Sequence, residues 1–298
     1  MNEEQDLDLL CRVLGSVAEQ LRGSLGNIHS ALNRLLPPED PASGGADEQS
    51  AAILNQSYYR LLRVINNLSA ATVLTEDTPF VRWDLELVGW LEELCRQARP
   101  LAEEMGLTLA FHCDRSYHKA GVHREHMERL VWNLLSNAIK FTPAGGRIDV
   151  TLDFRGDQIL LTVADTGCGI SEEMMGVVYE RYLHPERIDP PPHGLGLGLP
   201  LCRKIAERHG GRFLLTSREG EGTTVTVSLP DERLEDKTLE EPTFAYTGGF
   251  QPAMVELSDA LSYRVFTVFS LRTKLSLFNL ETSSFVHETV IESPLSLY

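Results

Sequence analysis

Positive charge, membrane-length apolar runs and paired cysteines are all scarce in this chain. Its 27 Lys and Arg residues stand against 43 Asp and Glu, leaving a net charge of −16 over 298 residues. A surface this acidic repels nucleic-acid phosphates and anionic lipid headgroups, so neither is expected as a partner. No stretch reaches the apolar length of a membrane span, and the tail around residues 265–280 is interrupted by Arg272 and Lys274. The amino terminus, Met1–Asp6, is acidic and lacks a basic segment followed by an apolar core, so no signal peptide is expected. The five cysteines (Cys11, Cys95, Cys113, Cys168 and Cys202) are odd in number and widely spaced, with no C-x-x-C pair. That pattern fits reduced thiols and a cytoplasmic location better than a disulfide framework. The G-x-x-x-x-G-K-[ST] motif is also missing, which excludes a P-loop.

What is present begins with helical periodicity. Residues 7–36 place Leu10, Val13, Val17, Leu21, Leu25, Ile28, Leu32 and Leu35 on one stripe by steps of three and four. Pro37-Pro38 ends that helix, and a Pro/Gly/Ala/Asp loop follows. A second stripe runs through Leu54, Tyr58, Leu61, Ile65, Leu68 and Ala71. Two such helices cannot bury both stripes alone. A dimeric four-helix bundle would bury them, and so would packing of the hairpin on the rest of its own chain.

Downstream, strands and helices alternate. Phe80–Leu85 reads as a strand, Leu87–Met105 as an amphipathic helix ended by Gly106, and Leu107–His112 as a second strand. After a short extended piece at His118–Val122 comes a helix over 124–140. Arg147–Phe154 and Gln158–Ala164 then form a hairpin around Gly156-Asp157. A helix is expected from Ser171 to about Leu183, a Pro-rich loop over His184–His193 and a helix from Leu199 to His209. Strands at Gly211–Ser217 and Thr223–Leu229 close the pattern. Mixed strands with helices on one face predict an α/β two-layer sandwich within an α+β chain. The expected organisation is a helical hairpin over residues 1–76, an α/β domain over 77–231, and a linker with an atypical tail over 232–298.

Three motifs within Glu128–Gly198 carry chemistry. Asn133 and Asn137, four apart, share a helix face with Lys140 one turn on, and Phe141 follows. An amide oxygen suits Mg²⁺, and a lysine reaches phosphate as a point charge. Asparagines are poor helix formers, so two of them mid-helix call for a reason. Asp165-Thr-Gly167-Cys-Gly169 follows a strand, where a carboxylate can accept a hydrogen bond and the glycines allow close backbone approach. Gly194, Gly196 and Gly198 precede a helix with Pro200 in its first turn, which makes an anion site. His118, His123 and His126 with Cys113 lack the spacing of a zinc site and read as solvated helix-start histidines.

In this order the motifs resemble the nucleotide pocket of the Bergerat-fold ATPases, and most closely the catalytic domain of two-component sensor histidine kinases. The resemblance covers residues 78–230 strongly and 5–75 loosely. It implies ATP and Mg²⁺ as cofactors. Asn137 would be the Mg²⁺ ligand, Asn133 would support the triphosphate end, Lys140 would contact phosphate and Phe141 would lie near the adenine. It implies Asp165 as the acceptor for the adenine amino group, with Gly167 and Gly169 beside the base and Thr223 holding the aspartate. It also implies a lid over His184–His193 with Arg187 as a phosphate contact, ahead of the phosphate-binding Gly194, Gly196 and Gly198. Val178–Tyr182 matches the aromatic box that packs beside the lid.

Two departures matter. The hairpin resembles a dimerisation and phosphoacceptor domain, implying a homodimer and, as partners, a response regulator or upstream sensor protein. Yet Glu19 occupies the histidine position of the box Glu19-Gln20-Leu21-Arg22-Gly23-Ser24-Leu25, and Gln20 replaces the following acid. Hydrolytic members of the superfamily use a glutamate base at the position of Asn133, and an amide cannot serve as one. The resemblance therefore implies an ATP-binding signalling protein of doubtful autokinase activity. A non-catalytic ATP-dependent interaction module and an anti-sigma-type serine kinase are the alternatives. The tail stands apart: Leu261–Tyr298 contains no Gly, Ala or Asp, and is expected to be poorly packed and dispensable for ATP binding.

Overall fold

The structure, a computed structural model, describes residues 45–72, 80–175, 198–234 and 251–267. Its centre is a five-stranded sheet with the order β2-β4-β5-β7-β6. The strands are β2 (Thr108–Cys113), β4 (Arg147–Arg155), β5 (Gln158–Asp165), β6 (Arg212–Arg218) and β7 (Gly222–Pro230). Only β2 with β4 is parallel; the other neighbours are antiparallel. β1 (Trp83–Glu86) and β3 (Lys119–Val122) pair antiparallel as a separate two-stranded sheet.

Alternation explains the sheet. Ile148, Val150 and Leu152 on β4, Ile159, Leu161 and Val163 on β5, and Val225, Val227 and Leu229 on β7 are all buried, while the residues between them face outward. Three helices contribute to the same core: α2 (Leu87–Glu104), α3 (Arg124–Phe141) and α4 (Gly198–Arg208). α2 starts where the Glu86 carboxylate accepts from the amides of Val88 and Gly89. α3 ends at Thr142, whose backbone amide and hydroxyl both return to the Ala138 carbonyl. Its buried face carries Leu130, Val131, Leu134, Leu135, Ala138 and Ile139 onto the sheet side, together with the polar Asn133 and Ser136.

The first described helix follows its expected stripe only in part. α1 (Gly45–Thr72) packs against α4 and against a C-terminal pair formed by α5 (Pro252–Glu256) and a 3₁₀ turn (Tyr263–Phe266). Its buried face runs through Ala52, Asn55, Tyr59, Leu62 and Asn66, whereas Ile53, Leu54, Leu61 and Val64 are exposed. Of the expected stripe Tyr58 and Ile65 are buried as well, while Leu54 and Leu61 lie on the face turned away from the described residues. α1 is apolar around much of its circumference, and the face that meets this chain is the one carrying amides able to satisfy backbone carbonyls. The C-terminal expectation is corrected over part of its range. Leu261, Val265 and Phe266 are at most 3% exposed, so these three side chains belong to the core. Residues 268–298, the first hairpin helix with Glu19 and Gln20, and the lid with Arg187, Gly194 and Gly196 lie outside the described residues.

Candidate functional site

α3 meets the loop after β5 at its C-terminal end, and near its middle Asn133 faces the N-terminus of α4. The Cys168 amide donates to the Phe141 carbonyl at 3.1 Å, joining the end of α3 to the loop that begins at Asp165. Thr166 bonds back to the Arg147 carbonyl at 3.0 Å, and Gly220 donates to the Cys168 carbonyl at 2.8 Å. Three segments therefore frame the loop through backbone bonds.

Asp165 sits at the end of β5, opposite Thr223 on β7. Its Oδ1 accepts from the Gly167 amide at 2.8 Å and the Thr223 amide at 3.2 Å. Both bonds fall on the same oxygen, so Oδ2 has no hydrogen-bond partner among the described residues. Burial raises the carboxyl pKa, and the two amides only partly offset it. Thr223 was expected to hold this aspartate and does so, but through its backbone. Its hydroxyl instead lies 2.9 Å from Ser217 Oγ.

Ser217 is the residue that sequence reasoning missed. Its Oγ also accepts from the Ile170 amide at 2.9 Å and donates to the Gly222 carbonyl at 2.9 Å, joining the Asp165 loop to the β6–β7 turn. A lone serine in a strand has no spacing signature; its pairing across from Thr223 emerges only with the register. Two glycines permit the closeness. Gly169 has φ +64° and Gly222 φ +99°, and a Cβ on either would lie 1.9 Å from a carbonyl oxygen, of Arg218 and Asp165 respectively. Ser217→Ala should leave the Ile170 amide and the Gly222 carbonyl short of a partner and cost about 1–2 kcal/mol. Chemical denaturation of the two proteins checks this, with an unchanged midpoint counting against the role of Ser217.

On α3, Asn133 is buried and its Nδ2 donates to the Arg129 carbonyl at 2.9 Å. Its Oδ1 faces α4, where a Cβ on Gly198 would come within 3.0 Å. Asn137, one turn on, is half-buried and its side chain makes no hydrogen bond with a described residue. Lys140 has its pKa lowered by burial, with Asp259 acting in the opposite sense and Arg63 and Arg60 reinforcing the drop. Its Nζ lies 5.5 Å from the centroid of the exposed Phe141 ring. Asn133, Asn137, Lys140 and Phe141 thus lie on α3, Asp165, Gly167 and Gly169 at the end of β5 and its loop, Gly198 at the start of α4 and Thr223 on β7.

The histidines behave otherwise than expected. His126 and His209 are buried, and His123 is half-buried at the N-cap of α3. The His123 and His126 rings stack with centroids 3.8 Å apart, and Phe80 contacts all three imidazoles. They are a packed cluster, not solvated side chains. His118 lies elsewhere, bonded to Asp231 at 2.8 Å. Among the described residues no group of three or more His, Cys, Asp or Glu side chains is arranged to hold a metal ion.

The family described as "Histidine kinase-, DNA gyrase B-, and HSP90-like ATPase" matches residues 122–233, which span α3, the Asp165 loop and α4. That stretch is similar to this ATPase family. The chain around it is a relative of the sensor histidine kinases. It is 33% identical over 181 residues to the histidine protein kinase DivJ of Caulobacter vibrioides, covering 60% of this chain and 30% of the relative. It is 26% identical over 234 residues to the sensor protein SrrB of Staphylococcus aureus, covering 77% and 40%. It is 31% identical over 192 residues to the adaptive-response sensory kinase SasA of Rippkaea orientalis, covering 61% and 49%. The chain therefore spans between three-tenths and half of the length of these relatives. Among solved structures, full-length ShkA in complex with AMPPNP shares the fold at a TM-score of 0.59 and 20% identity, covering 75% of this chain and 46% of that one. No described helix is long and apolar enough to cross a membrane.

Proposed function

We propose that this protein binds Mg-ATP between α3, the Asp165 loop and the start of α4. We further propose that it acts as a cytoplasmic histidine-kinase-like signalling protein whose hairpin lacks the phosphoacceptor. The observation that carries the reading is the state of Asp165. Two backbone amides fix Oδ1 and orient the carboxylate, leaving Oδ2 as an oriented acceptor at the edge of the pocket. An acceptor there suits the exocyclic amino group of adenine and is wrong for a 6-oxo purine.

The residues also fit the cation and the phosphates. The Asn137 amide, half-buried with no described partner, is a suitable hard-oxygen ligand for Mg²⁺. When bound, Mg²⁺ supplies charge neutralisation at the phosphates. The N-terminus of α4 adds backbone amides and the positive end of a helix, and Lys140 adds a cation from α3. Asn133 occupies the position of the hydrolytic base; as an amide bonded to the Arg129 carbonyl it cannot take a proton from water. The chain's work at the pocket is thus binding and orientation, and ATP hydrolysis is not expected. The relative ShkA was solved with AMPPNP, and DivJ, SrrB and SasA are a histidine protein kinase, a sensor protein and a sensory kinase. These descriptions support a place in kinase signalling, as a homodimer through the hairpin and with a response regulator or sensor protein as partner.

Autophosphorylation is expected to be absent. A phosphoryl acceptor of this kind needs an imidazole nitrogen and a neighbouring acid to receive its proton, and Glu19 and Gln20 supply neither. His29 is ten residues further along the sequence, a separation that would be about 15 Å on the helix expected from the periodicity. Wild type, His29→Ala and the double change Glu19→His with Gln20→Glu should be incubated with γ-labelled ATP. The expected result is acid-labile label on the double change alone. Acid-labile label on wild type would defeat the reading, and absence of ATP binding in a calorimetric titration would remove the pocket assignment altogether. The non-catalytic module remains the second reading, favoured by Glu19 and by an α1 helix tied down onto the same chain.

A further inference from the structure

The pocket end of the sheet carries a row of side chains unlike the rows behind it. Val163, Val225 and Leu215 lie directly across from one another on β5, β7 and β6, and all three are buried. Two residues further along the same face, the corresponding row is Asp165, Thr223 and Ser217. The core side of the sheet thus turns polar in a single step, at the residues assigned to the base of the nucleotide. Asp165 and Thr223 already have roles there. Ser217, one strand beyond Thr223, has none.

The Ser217 hydroxyl is used to capacity. A serine oxygen has one proton and two lone pairs. The proton goes to the Gly222 carbonyl at 2.9 Å, and one lone pair takes the Ile170 amide at 2.9 Å. The 2.9 Å contact with Thr223 Oγ1 is then a bond that Thr223 donates. The bond to Gly222 matters most. The Gly222 carbonyl and the Thr223 amide belong to one planar trans peptide, whose C=O and N–H point in opposite directions. Ser217 holds the carbonyl end, and the amide end donates to Asp165 Oδ1 at 3.2 Å. A hydroxyl on the carbonyl also polarises the unit and strengthens the bond that its amide donates. The second amide on Oδ1 comes from Gly167, within the loop that Ser217 pins at Ile170. Both bonds that orient the Asp165 carboxylate therefore lead back to one hydroxyl.

We propose that Ser217 is a positioning residue for base selection. It fixes the Gly222–Thr223 peptide and the Ile170 end of the loop, so that Asp165 Oδ2 stays aimed at the base. The proposal rests on the Mg-ATP reading. Without the hydroxyl the carboxylate keeps its two donors but loses the frame that orients them, and the acceptor can swing away from an adenine amino group. The groups assigned to the phosphates stand on α3 and α4, away from this row. The loss therefore falls on adenine and not on nucleotides in general.

Calorimetric titration of the full chain with Mg-ATP and with Mg-ITP, which carries the same triphosphate on a 6-oxo base, separates positioning from structural support. Wild type should prefer ATP. Ser217→Ala should weaken ATP binding about tenfold, the size expected for one hydrogen bond to an oriented charge, and leave ITP binding nearly as it was. Placed in Asp165→Asn, where the acceptor is already gone, Ser217→Ala should change the ATP-to-ITP ratio no further. Ser217→Cys keeps the shape of the side chain but bonds weakly. It should show the same loss of preference in smaller measure, and it decides the matter if the alanine variant does not fold. An equal fall for both nucleotides, or an unchanged ratio, would overturn the positioning role and leave the Mg-ATP reading in place. A further fall of the ratio in the Asp165→Asn background would also overturn it, since Ser217 would then act by another route. A wild type that binds neither nucleotide would overturn the reading and the role together.

Discussion

Asp165→Asn should cost the protein its hold on adenine while leaving its fold intact. The amide can still present its oxygen to the Gly167 and Thr223 amides, so the loop keeps its two backbone bonds. Its NH₂ then occupies the place of Oδ2 and faces the adenine amino group donor to donor. Loss of a charge-assisted bond of this kind is worth about 1.5–3 kcal/mol, or roughly 10- to 150-fold in affinity. Stability should not fall in step. Burial already raises the carboxyl pKa, so the charge is a burden on the folded state that a neutral amide removes. Calorimetric titration with ATP, paired with thermal unfolding, tests both halves. Unchanged affinity in Asp165→Asn would remove the aspartate from the pocket.

The histidine cluster should make the protein acid-sensitive well above the carboxylate range. Burial pushes His126 down to about 3, with the charges of His123, His209, Arg129 and Arg208 adding to it. Burial likewise pushes His209 down to about 4, against the partial support of the Ile205 carbonyl. Hydrogen bonding explains why His209 must be neutral. Its Nδ1 donates to the Ile205 carbonyl at 2.7 Å while Nε2 accepts from the His123 amide at 2.9 Å, and protonation would set two N–H groups against each other. The folded pKa values lie below the unfolded value near 6.5, so the unfolded chain binds more protons below that pH. Stability is complete above about pH 6.5 and is lost on acidification, until the folded-state values are reached. Either histidine alone accounts for about 2 kcal/mol between pH 6 and pH 4. Urea denaturation at intervals of pH should show this slope in wild type and a shallower one in His126→Phe. Identical slopes in the two proteins would refute the account. Glu125 and Arg82 also face the cluster, and salt should alter the slope only weakly because the imidazoles themselves are buried.

Local signals were legible wherever partners are close in sequence. The Gly156-Asp157 turn set the β4–β5 register, and the stripe of α3 marked which side faces the sheet. The approach of the Asp165 loop to the end of α3, and of Gly198 to Asn133, joins residues that the motifs already singled out. What escaped was long-range. The donors for the carbonyls of residues 251–267, Asn55 and Gln56, lie some two hundred residues upstream, with separations of 211 for Asn55 and Phe266 and 205 for Gln56 and Leu261. No window of sequence contains both halves, and each half alone looks unremarkable. The His123, His126 and His209 cluster escaped for the same reason, since His209 joins from another helix. The composition break after Leu261 is real, but a short apolar piece such as Val265-Phe266 can be core without any of the usual helix formers.

The frame of the pocket loop is made chiefly of main-chain atoms: Cys168 to Phe141, Gly220 to Cys168 and Thr166 to Arg147 are all amide-to-carbonyl bonds. Such bonds are indifferent to side-chain identity, so neutral drift can replace most neighbouring residues without moving the loop. The exceptions are positions where a side chain would collide with the frame, and Gly169 and Gly222 are two of them. Tolerance to substitution around this loop should therefore be bimodal. A saturation library should show near-silent positions such as Cys168 interspersed with glycines at which almost nothing else survives.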